Sequence, residues 1–398
     1  MTFSPMNVLI SGAGLSFNAG LPLASNFTPG LLNLSKVKLS GPSAALVAFV
    51  RNFVDRTFGE GRATDPKEWP ELEDIFTLVD LSANTGHHLG DHSASDLRLV
   101  RRALIVRMIR MLSQAYSRGE KRPDAQWKLL ETVFSDFDVN RTAVLNLNWD
   151  VVVETGFRRA QGIERVDYGC NAEHLVVKDS KTLRYKHLNS SLPQLHLIKP
   201  HGSVNWLYCD ACREVFWVSA DQVEYVAQTL FRSRDWDAVR ERTGTKFSAR
   251  HISPSCPHCE TQALGTRFAT FSYRKALDFP MHAASWRTAE SYLKDSENWI
   301  FFGYSMPNAD FEFKHMLKRI QLTETTRPKI TLITGGSASA ETITRFKRFF
   351  GLEDGHWTHF SEGLTAEVIV KLRELKVLST PKPSPKKPSI AARKKPAR

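Results

Sequence analysis

Five short apolar segments, each followed at once by small or polar residues, constrain the fold of this chain more than any other feature. Continuous apolar runs of this length are typical of parallel strands that are covered on both faces. The carboxyl ends of such strands meet at one edge of the sheet, where ligands bind. We therefore predict an α/β fold with a Rossmann-like parallel sheet, whose strands lie at 7–11, 142–146, 195–199, 299–303 and 329–334.

Residues 12–141 separate the first two of these strands, and much of this stretch has helical periodicity. Apolar side chains recur in it three and four residues apart, as they do in helices with one buried face. The pattern predicts a large helical insertion at about 30–135, with helices at 43–56, 71–81 and 97–116. We assign the arginines of the third helix to a solvated or interhelical face rather than to a binding patch.

The composition and the N-terminal sequence favour a cytoplasmic protein without membrane contact. No run among the 398 residues approaches the roughly 18 apolar residues of a membrane span, and the N-terminus lacks the features of a signal peptide. We divide the chain into a folded body, 1–378, and a tail, 379–398, which holds seven Lys or Arg and no acid. Such a tail is expected to be disordered. It serves either solubility or weak, nonspecific contact with nucleic acid.

Four of the five cysteines form two Cys-x-x-Cys pairs, which residues 213–255 separate. Four thiolates are the ligand set of a closed structural zinc site, so we predict a small zinc-ribbon insertion at about 205–265. A redox-active pair is the alternative. Because four thiolates complete the tetrahedron, His201 is not expected to bind the metal. The segment between the pairs includes a predicted helix at 219–231, and the zinc ligands are Cys209, Cys212, Cys256 and Cys259.

The stretch "SGAGLSFNAGLP", 11–22, follows the first strand and is predicted to open a helix. Gly12 and Gly14 would let the backbone approach a phosphate, and a tight turn without any ligand is the alternative. The next glycine, Gly20, does not fit the Gly-x-Gly-x-x-Gly spacing of dehydrogenases, and no acidic residue occurs before Asp55 to hold an adenosine ribose. The loop therefore disfavours a hydride-transferring Rossmann domain.

Taken in order, the segments that follow the strands resemble the motifs of the sirtuin family. The stretch "GAGLSFNAGLP" resembles the sirtuin Gly-Ala-Gly-x-Ser loop with its downstream Gly-x-Pro, and "NLNWD" resembles Thr-Gln-Asn-Ile-Asp. The stretch "KPHGS" resembles Lys-Leu-His-Gly-Ser, and two cysteine pairs follow it as in sirtuins. The segment "FFGYSMPNAD" resembles the late Gly-Thr-Ser segment. The resemblance covers about 7–350 and implies a sirtuin-type NAD-binding domain.

Departures from the sirtuin deacylase pattern point to a divergent branch of the family. Residues 23–25, Leu-Ala-Ser, stand where deacylases have Asp-Phe-Arg, and Leu147 replaces the motif glutamine. The region "FATFSYRKALDFP", 268–280, stands where deacylases hold their peptide with a Phe-Gly-Glu strand. The ending "GYSMPNADFEF", with Asp310, resembles instead the divergent bacterial sirtuin-like proteins. Members of that group hydrolyse NAD, often as effectors of phage defence.

The resemblance implies an NAD glycohydrolase, which takes NAD as its substrate and releases nicotinamide and ADP-ribose. The alternatives are an NAD-dependent protein deacylase and a catalytically silent nucleotide-sensing module. An always-active enzyme of this kind would deplete the NAD of its own host. We therefore expect gating by a homo-oligomer or by a partner protein of an antiphage-defence system, with the helical insertion as the contact surface.

The same resemblance implies roles for residues at the strand ends. Asn148 is expected to position a water molecule or the ribose hydroxyls, and Asp150 to support that geometry or to accept from the nicotinamide amide. His201 is expected to act as the general base, because histidine titrates near neutral pH. Asn148 and Asp150 alternatively cap the helix that begins at "VVVETGF". Contacts to the nucleotide are expected from Gly12, Ala13, Gly14 and Ser16 at the pyrophosphate, Gly303 and Ser305 at the ribose and phosphate, and Thr334 and Gly335 at the adenosine end, with Asp310 anchoring the loop.

Overall fold

The structure, a computed structural model, describes residues 3–23, 26–34, 37–39, 41–59, 69–119, 125–249, 251–266, 280–323, 327–353 and 357–380. The expectations that concern residues 24–25, the segment 268–279 and the tail from 381 onward lie outside the described residues. Within the described part, twelve strands form two sheets. They are β1 (Asn7–Ser11), β2 (Thr142–Asn146), β3 (Arg165–Asp167), β4 (Ala172–Val177), β5 (Leu183–Tyr185), β6 (Gln194–Ile198), β7 (Trp206–Cys209), β8 (Val215–Val218), β9 (Leu264–Gly265), β10 (Asn298–Phe302), β11 (Lys329–Ile333) and β12 (Thr358–Phe360).

The α-helices of the described part surround these sheets, and none of them combines the length and apolar character that a membrane span needs. They are α1 (Ala13–Phe17), α2 (Phe27–Leu31), α3 (Gly41–Phe58), α4 (Leu72–Thr85), α5 (Ala94–Gly119), α6 (Ala125–Asp136), α7 (Val152–Gln161), α8 (Val223–Leu230), α9 (Ser233–Thr243), α10 (Pro280–Asp295), α11 (Phe311–Thr323), α12 (Ser339–Phe350) and α13 (Ala366–Glu374).

The seven strands of the larger sheet run parallel in the order β12-β11-β10-β1-β2-β6-β3, which confirms the predicted α/β class and parallel sheet. The five predicted strands correspond to β1, β2, β6, β10 and β11, with ends that agree within one residue. Every residue of β1, β2 and β10 is buried, because the centre of the sheet is covered on both faces. The edge strands β3 and β12 were not predicted, since each is short and has no fully buried residue.

The chain order of the strands creates a crevice at the centre of the larger sheet. From β1 the chain moves outward through β2 and β6 on one side, and it later returns to β10 on the other side of β1. Open α/β sheets bind ligands at such a reversal, outside the carboxyl ends of the strands. Because Ser11 at the end of β1 pairs with Phe302 at the end of β10, the loops that follow these strands leave the sheet side by side.

The predicted helices of the insertion between β1 and β2 are confirmed as α3, α4 and α5, and α2 and α6 complete it. The arginines of α5 bond to neighbouring helices, as the interhelical alternative predicted. Arg101 pairs with Asp80 of α4 at 2.9 Å, and Arg102 pairs with Asp235 of α9 at 2.8 Å. The buried Arg107 donates to backbone carbonyls of α2. These contacts fix α5 as the central helix of the insertion.

The cysteine pairs lie in the second sheet, whose strand order is β5-β4-β8-β7-β9. We call this sheet, together with α8 and α9, the cysteine module. The predicted helix at 219–231 is confirmed as a short 3₁₀ turn followed by α8, whereas α9 and the strands β4 and β5 were not predicted. Helix α8 packs against α5 and α9 packs against α3. The module therefore shares one apolar core with the helical insertion instead of standing apart as a separate ribbon.

Candidate functional site

A cavity of about 170 Å³ lies at the carboxyl edge of the larger sheet, at the crevice between β1 and β10. Its walls come from the segments that follow β1, β2, β6 and β10 and from the helical insertion. Most of the predicted site residues border it: Gly12, Ala13, Ser16, Asn148, Asp150, His201, Gly303, Ser305 and Asp310. Residues that were predicted from four separate segments of the sequence therefore meet at one cavity.

Ser16 joins the first loop to the segment that follows β2. Its hydroxyl donates to the Asp150 carboxylate, with 2.8 Å between Oγ and Oδ2, and it accepts from the Asn148 side chain, with 2.9 Å between Nδ2 and Oγ. Ser16 and Asp150 are buried, and Asn148 is half-buried at the cavity wall. The bond to Ser16 fixes the rotation of the Asn148 amide. The hydroxyl predicted to contact a pyrophosphate thus orients a neighbouring side chain.

Asp150 lies just before the start of α7 and also borders the cavity. Its Oδ1 accepts from the backbone N–H of Val152 at 3.0 Å, where α7 begins. A carboxylate at a helix start satisfies a free N–H and is stabilised by the positive end of the helix dipole. Val151 is the N-cap of α7, so Asp150 does not occupy the predicted capping position. One of its oxygens accepts from the first N–H of the helix, while the other holds Ser16.

His201 is buried and borders the cavity beside the segment that carries Asn148. Its Nδ1 lies 3.3 Å from the carbonyl oxygen of Leu147. Since a carbonyl oxygen can only accept, Nδ1 carries the hydrogen, and Nε2 is the nitrogen that can accept when the ring is neutral. This is the tautomer that a general base acting through Nε2 requires.

A fully buried lysine lies behind the cavity wall and holds the segment that follows β2. The ammonium Nζ of Lys199 lies 2.5 Å from the carbonyl oxygen of Asp150, 2.7 Å from Oγ of Ser203 and 3.1 Å from Oε1 of Glu154. Burial raises the pKa of Glu154, and the charge of Lys199 opposes that rise. Each charge of this buried pair compensates the other. The bond to the Asp150 carbonyl keeps that backbone where its carboxylate meets Ser16.

The first glycine loop packs directly against the loop that follows β10. The backbone N–H of Gly12 donates to the Phe302 carbonyl at 3.0 Å, and that of Gly14 donates to the Gly303 carbonyl at 2.9 Å. A Cβ on Gly14 would lie 2.6 Å from Cα of Gly303. Glycine is needed here because two backbones approach closely. Gly14 lies against Gly303 and outside the cavity wall, whereas Gly12 borders the cavity.

The substitution Gly303→Ala is expected to lower the free energy of unfolding by about 2–5 kcal/mol. Gly303 has φ of +65°, which costs another residue about 1–2 kcal/mol, and its new Cβ would lie 2.4 Å from Cα of Gly14. The matched control is Gly351→Ala, where φ is +64° and nothing lies within 4 Å of the added Cβ, so only the first cost applies. Urea unfolding measures both variants, and equal losses would show that the contact between the loops is unimportant.

Two further predicted residues, Thr334 and Gly335, also lie outside the cavity wall. They follow β11 at the same edge of the sheet, one strand beyond β10. The N–H of Thr334 donates to the Phe360 carbonyl at 2.9 Å, and its carbonyl accepts from the N–H of Gly363 at 2.7 Å. Thr334 therefore contacts the end of β12 and the loop after it, and neither Thr334 nor Gly335 lines the cavity.

The loop that follows β10 is held by two side chains. The Tyr304 hydroxyl donates to the buried Asp310 carboxylate at 3.1 Å, which is the anchoring contact expected of Asp310. The guanidinium of Arg345 donates to the Ser305 carbonyl at 2.7 Å. Burial raises the pKa of Tyr304, and the charge of Asp310 raises it further, so the phenol stays a hydrogen-bond donor. The loop therefore keeps its position over the cavity.

The helical insertion contributes cavity residues that no motif indicated. Phe27 of α2, Glu73 of α4 and Leu112 of α5 all border the cavity. The sequence assigned Leu112 to the core stripe of a helix, and Glu73 was one of several acids near the start of another. A helical pattern shows which face is buried, but it does not show which element that face meets.

The four predicted metal ligands converge at one end of the cysteine module. Their Sγ atoms all lie within 4.8 Å of one another, with 3.6 Å between Cys209 and Cys259 and 3.8 Å between Cys212 and Cys256. Tetrahedral Zn–S bonds of about 2.3 Å place two sulfurs roughly 3.8 Å apart, so the cluster fits one zinc ion. Both of these short distances join sulfurs of different Cys-x-x-Cys pairs, which favours one shared ion over the alternative of a redox pair.

Two equivalent turns shape the cysteine cluster. Arg213 and Glu260, each directly after a Cys-x-x-Cys pair, have φ of 66° and 62°. Each backbone N–H donates to the carbonyl of the first cysteine of its pair, Cys209 or Cys256, at 2.8 and 2.9 Å. A left-handed residue at this position is most often glycine. Since arginine and glutamate occupy it here, these turns have no signature in the sequence.

Comparison with known proteins does not indicate a function, so the function has to be inferred from the geometry of the site. The chain matches no model of a known protein family, and no curated protein is significantly similar to it. The cavity offers an imidazole with an acceptor Nε2, a side-chain amide of fixed rotation and several carboxyl groups. Such groups at the ligand-binding edge of an α/β sheet can orient and activate a water molecule against a bound ligand.

Proposed function

We propose that this protein is a sirtuin-like NAD glycohydrolase, which hydrolyses NAD to nicotinamide and ADP-ribose. One observation carries the proposal: Asn148, Asp150 and His201, which follow two different strands, border the same cavity beside the first glycine loop. The resemblance of this loop and of the two later segments to sirtuin motifs supports NAD as the ligand. The tautomer of His201 supports a hydrolytic role.

In the proposed reaction, the bond between the anomeric carbon of the nicotinamide ribose and the ring nitrogen breaks. Its electron pair stays with nicotinamide, which leaves as a neutral molecule and needs no general acid. The ribose passes through an oxocarbenium-like state, as sugars do in glycoside hydrolysis. A water oxygen forms the new bond to the anomeric carbon, and its proton passes to Nε2 of His201. Asn148, held by Ser16, orients this water or the ribose hydroxyls.

Zinc has a structural part in the proposal. Four thiolates complete its coordination and leave no open position for water or substrate. The bound ion would hold the two Cys-x-x-Cys turns of a zinc ribbon together. Because α8 and α9 of the cysteine module pack against α5 and α3, the ion supports the helical insertion that borders the cavity. The cysteines take no part in the reaction itself.

Incubation of the purified protein with NAD, in the absence of any peptide, tests the proposal. We expect the wild type to release nicotinamide and ADP-ribose in equal amounts. His201→Ala and Asn148→Ala should each lower the rate by about 10²–10⁴-fold, because they remove the general base or the orienting amide. Chromatography and mass spectrometry identify the products. The matched control is His187→Ala, which removes an exposed histidine and should keep the wild-type rate.

Other outcomes of the same assay identify the rival functions. NAD loss that requires an acylated peptide and yields acyl-ADP-ribose identifies a protein deacylase. NAD binding without turnover, unchanged in His201→Ala, identifies a nucleotide-sensing module. We further propose gating by self-assembly or by a partner protein of a defence system. Full activity of a lone monomer, with its mass measured by light scattering, contradicts that gating.

A further inference from the structure

The carboxyl groups that line the cavity face no lysine or arginine of the described lining. Among the lining residues that the structure describes are the acids Glu73, Asp150 and Asp310, and there is no lysine or arginine. Asp150 is engaged by Ser16 and by the start of α7. Like charges repel strongly at close quarters, so the part of the lining beside these acids disfavours a pyrophosphate group. It suits the nicotinamide ring of oxidised NAD, which carries a positive charge.

The size of the cavity agrees with this assignment. Its volume of about 170 Å³ is below the roughly 300–1,000 Å³ of pockets that enclose a drug-sized ligand. Only part of a dinucleotide therefore fits within it. The part that fits has to be the end that reacts, because His201 and Asn148 border the same cavity. The phosphates and the adenosine then lie further along the crevice.

Helix α4 holds Glu73 at the cavity wall. Leu72 and Ile75, on either side of it in the chain, are buried in the apolar core and fix the rotation of the helix. Glu71 and Asp74, its acidic neighbours, are exposed, whereas Glu73 is half-buried and borders the cavity. The packing of the helix, not the local sequence, therefore determines that Glu73 is the acid of this group that borders the cavity.

Glu73 and Asp310 border the same cavity. Burial raises the pKa of Glu73, and the charges of Glu71, Asp74 and Asp310 raise it further. Asp310 is itself buried and is held by the Tyr304 hydroxyl at 3.1 Å. Two carboxyl groups that repel each other at one cavity are stabilised when a cation binds beside them.

We propose that Glu73 contacts the substrate and, together with Asp310, selects the positively charged nicotinamide end of oxidised NAD. This inference rests on the proposed function and names the form of the substrate. It gives the helical insertion a direct part in the site, because α4 supplies one of the two charges. NADH, whose nicotinamide ring is neutral, is then a poor ligand.

Two small probes that cannot be hydrolysed test this selection on the full chain. 1-Methylnicotinamide is a cation, and nicotinamide is its neutral counterpart. By calorimetry, we expect the wild type to bind the cation about tenfold more tightly, and Glu73→Gln to lose most of that preference. Glu73→Asp keeps the charge and should keep most of the preference. Glu71→Gln, which neutralises an exposed acid on the same helix, should behave as the wild type.

A wild type without preference for the cation, or a preference that survives Glu73→Gln, overturns the inference. Glu73→Ala is a second neutral variant, in case the glutamine variant fails to fold. The outcome is separable from that of the NAD assay. If NAD is hydrolysed with dependence on His201 while Glu73→Gln changes neither the preference nor kcat/KM, the inference alone fails. If the preference depends on Glu73 and NAD is not hydrolysed, the proposed function alone fails.

Discussion

The substitution Cys256→Ser is expected to deprive the protein of bound zinc and to unfold the end of the cysteine module that carries the four cysteines. Cys256 is buried, and its Sγ lies 3.8 Å from that of Cys212. The apolar cluster beside these cysteines is much smaller than the main core, so this end of the module depends on the metal. Structural zinc supplies about 10–16 kcal/mol of apparent free energy in zinc-finger peptides, and the loss of one thiolate ligand should therefore cost several kcal/mol.

Metal analysis and urea unfolding measure the two parts of this prediction. We expect about one zinc ion per wild-type chain, as the four-thiolate set requires, and far less in Cys256→Ser. Trp206 and Trp217, which lie in β7 and β8, report the unfolding of the module through their fluorescence. The control is Cys170→Ser, because Cys170 lies outside the cluster and should leave the zinc in place. Metal-free wild-type protein from a zinc-supplemented culture would refute the site.

The substitution Lys199→Met is expected to lower the free energy of unfolding by about 3–5 kcal/mol. Methionine nearly preserves the length of the side chain but removes the ammonium. Glu154 then stays buried without a counter-charge, and the carbonyl of Asp150 loses its donor. Replacing both members of a buried pair by apolar residues is far less costly than removing one. The double variant Lys199→Met/Glu154→Leu should therefore be more stable than Lys199→Met alone.

Equilibrium unfolding in urea compares these variants with a matched control. Lys186→Met breaks the pair between Lys186 and Glu164, in which the charged groups are 2.9 Å apart and both side chains are partly exposed. Exposed pairs contribute about 0–1 kcal/mol, so this variant should remain close to the wild type. Losses of equal size for Lys199→Met and Lys186→Met would be incompatible with the role assigned to the buried pair.

The central strands were predictable because a buried parallel strand carries its own signal. All residues of β1, β2 and β10 are buried, and the three central residues of each strand are apolar. Strands β4 and β5 have no such run, because they form through pairing with each other and with β8 of the cysteine module. Helix α9 was missed because its sequence is strongly polar and only Trp236, Val239 and the capping Asp235 are buried.

The sequence by itself determined which polar residues end the strands. Parallel strands align their carboxyl ends whatever the details of packing, so Asn148, Asp150 and His201 had to reach one edge of the sheet. The four thiolates were equally evident, because the two Cys-x-x-Cys pairs form a complete ligand set without help from other residue types.

Only the tertiary structure decided which helix faces and loops meet those strand ends. It brought Glu73 from the insertion to the cavity, placed Gly14 against Gly303, and buried Lys199 against Glu154. The physical reason is that periodicity specifies which face of an element is buried, whereas the partner of that face depends on how distant elements pack. Contacts of this kind have no local signature in the chain.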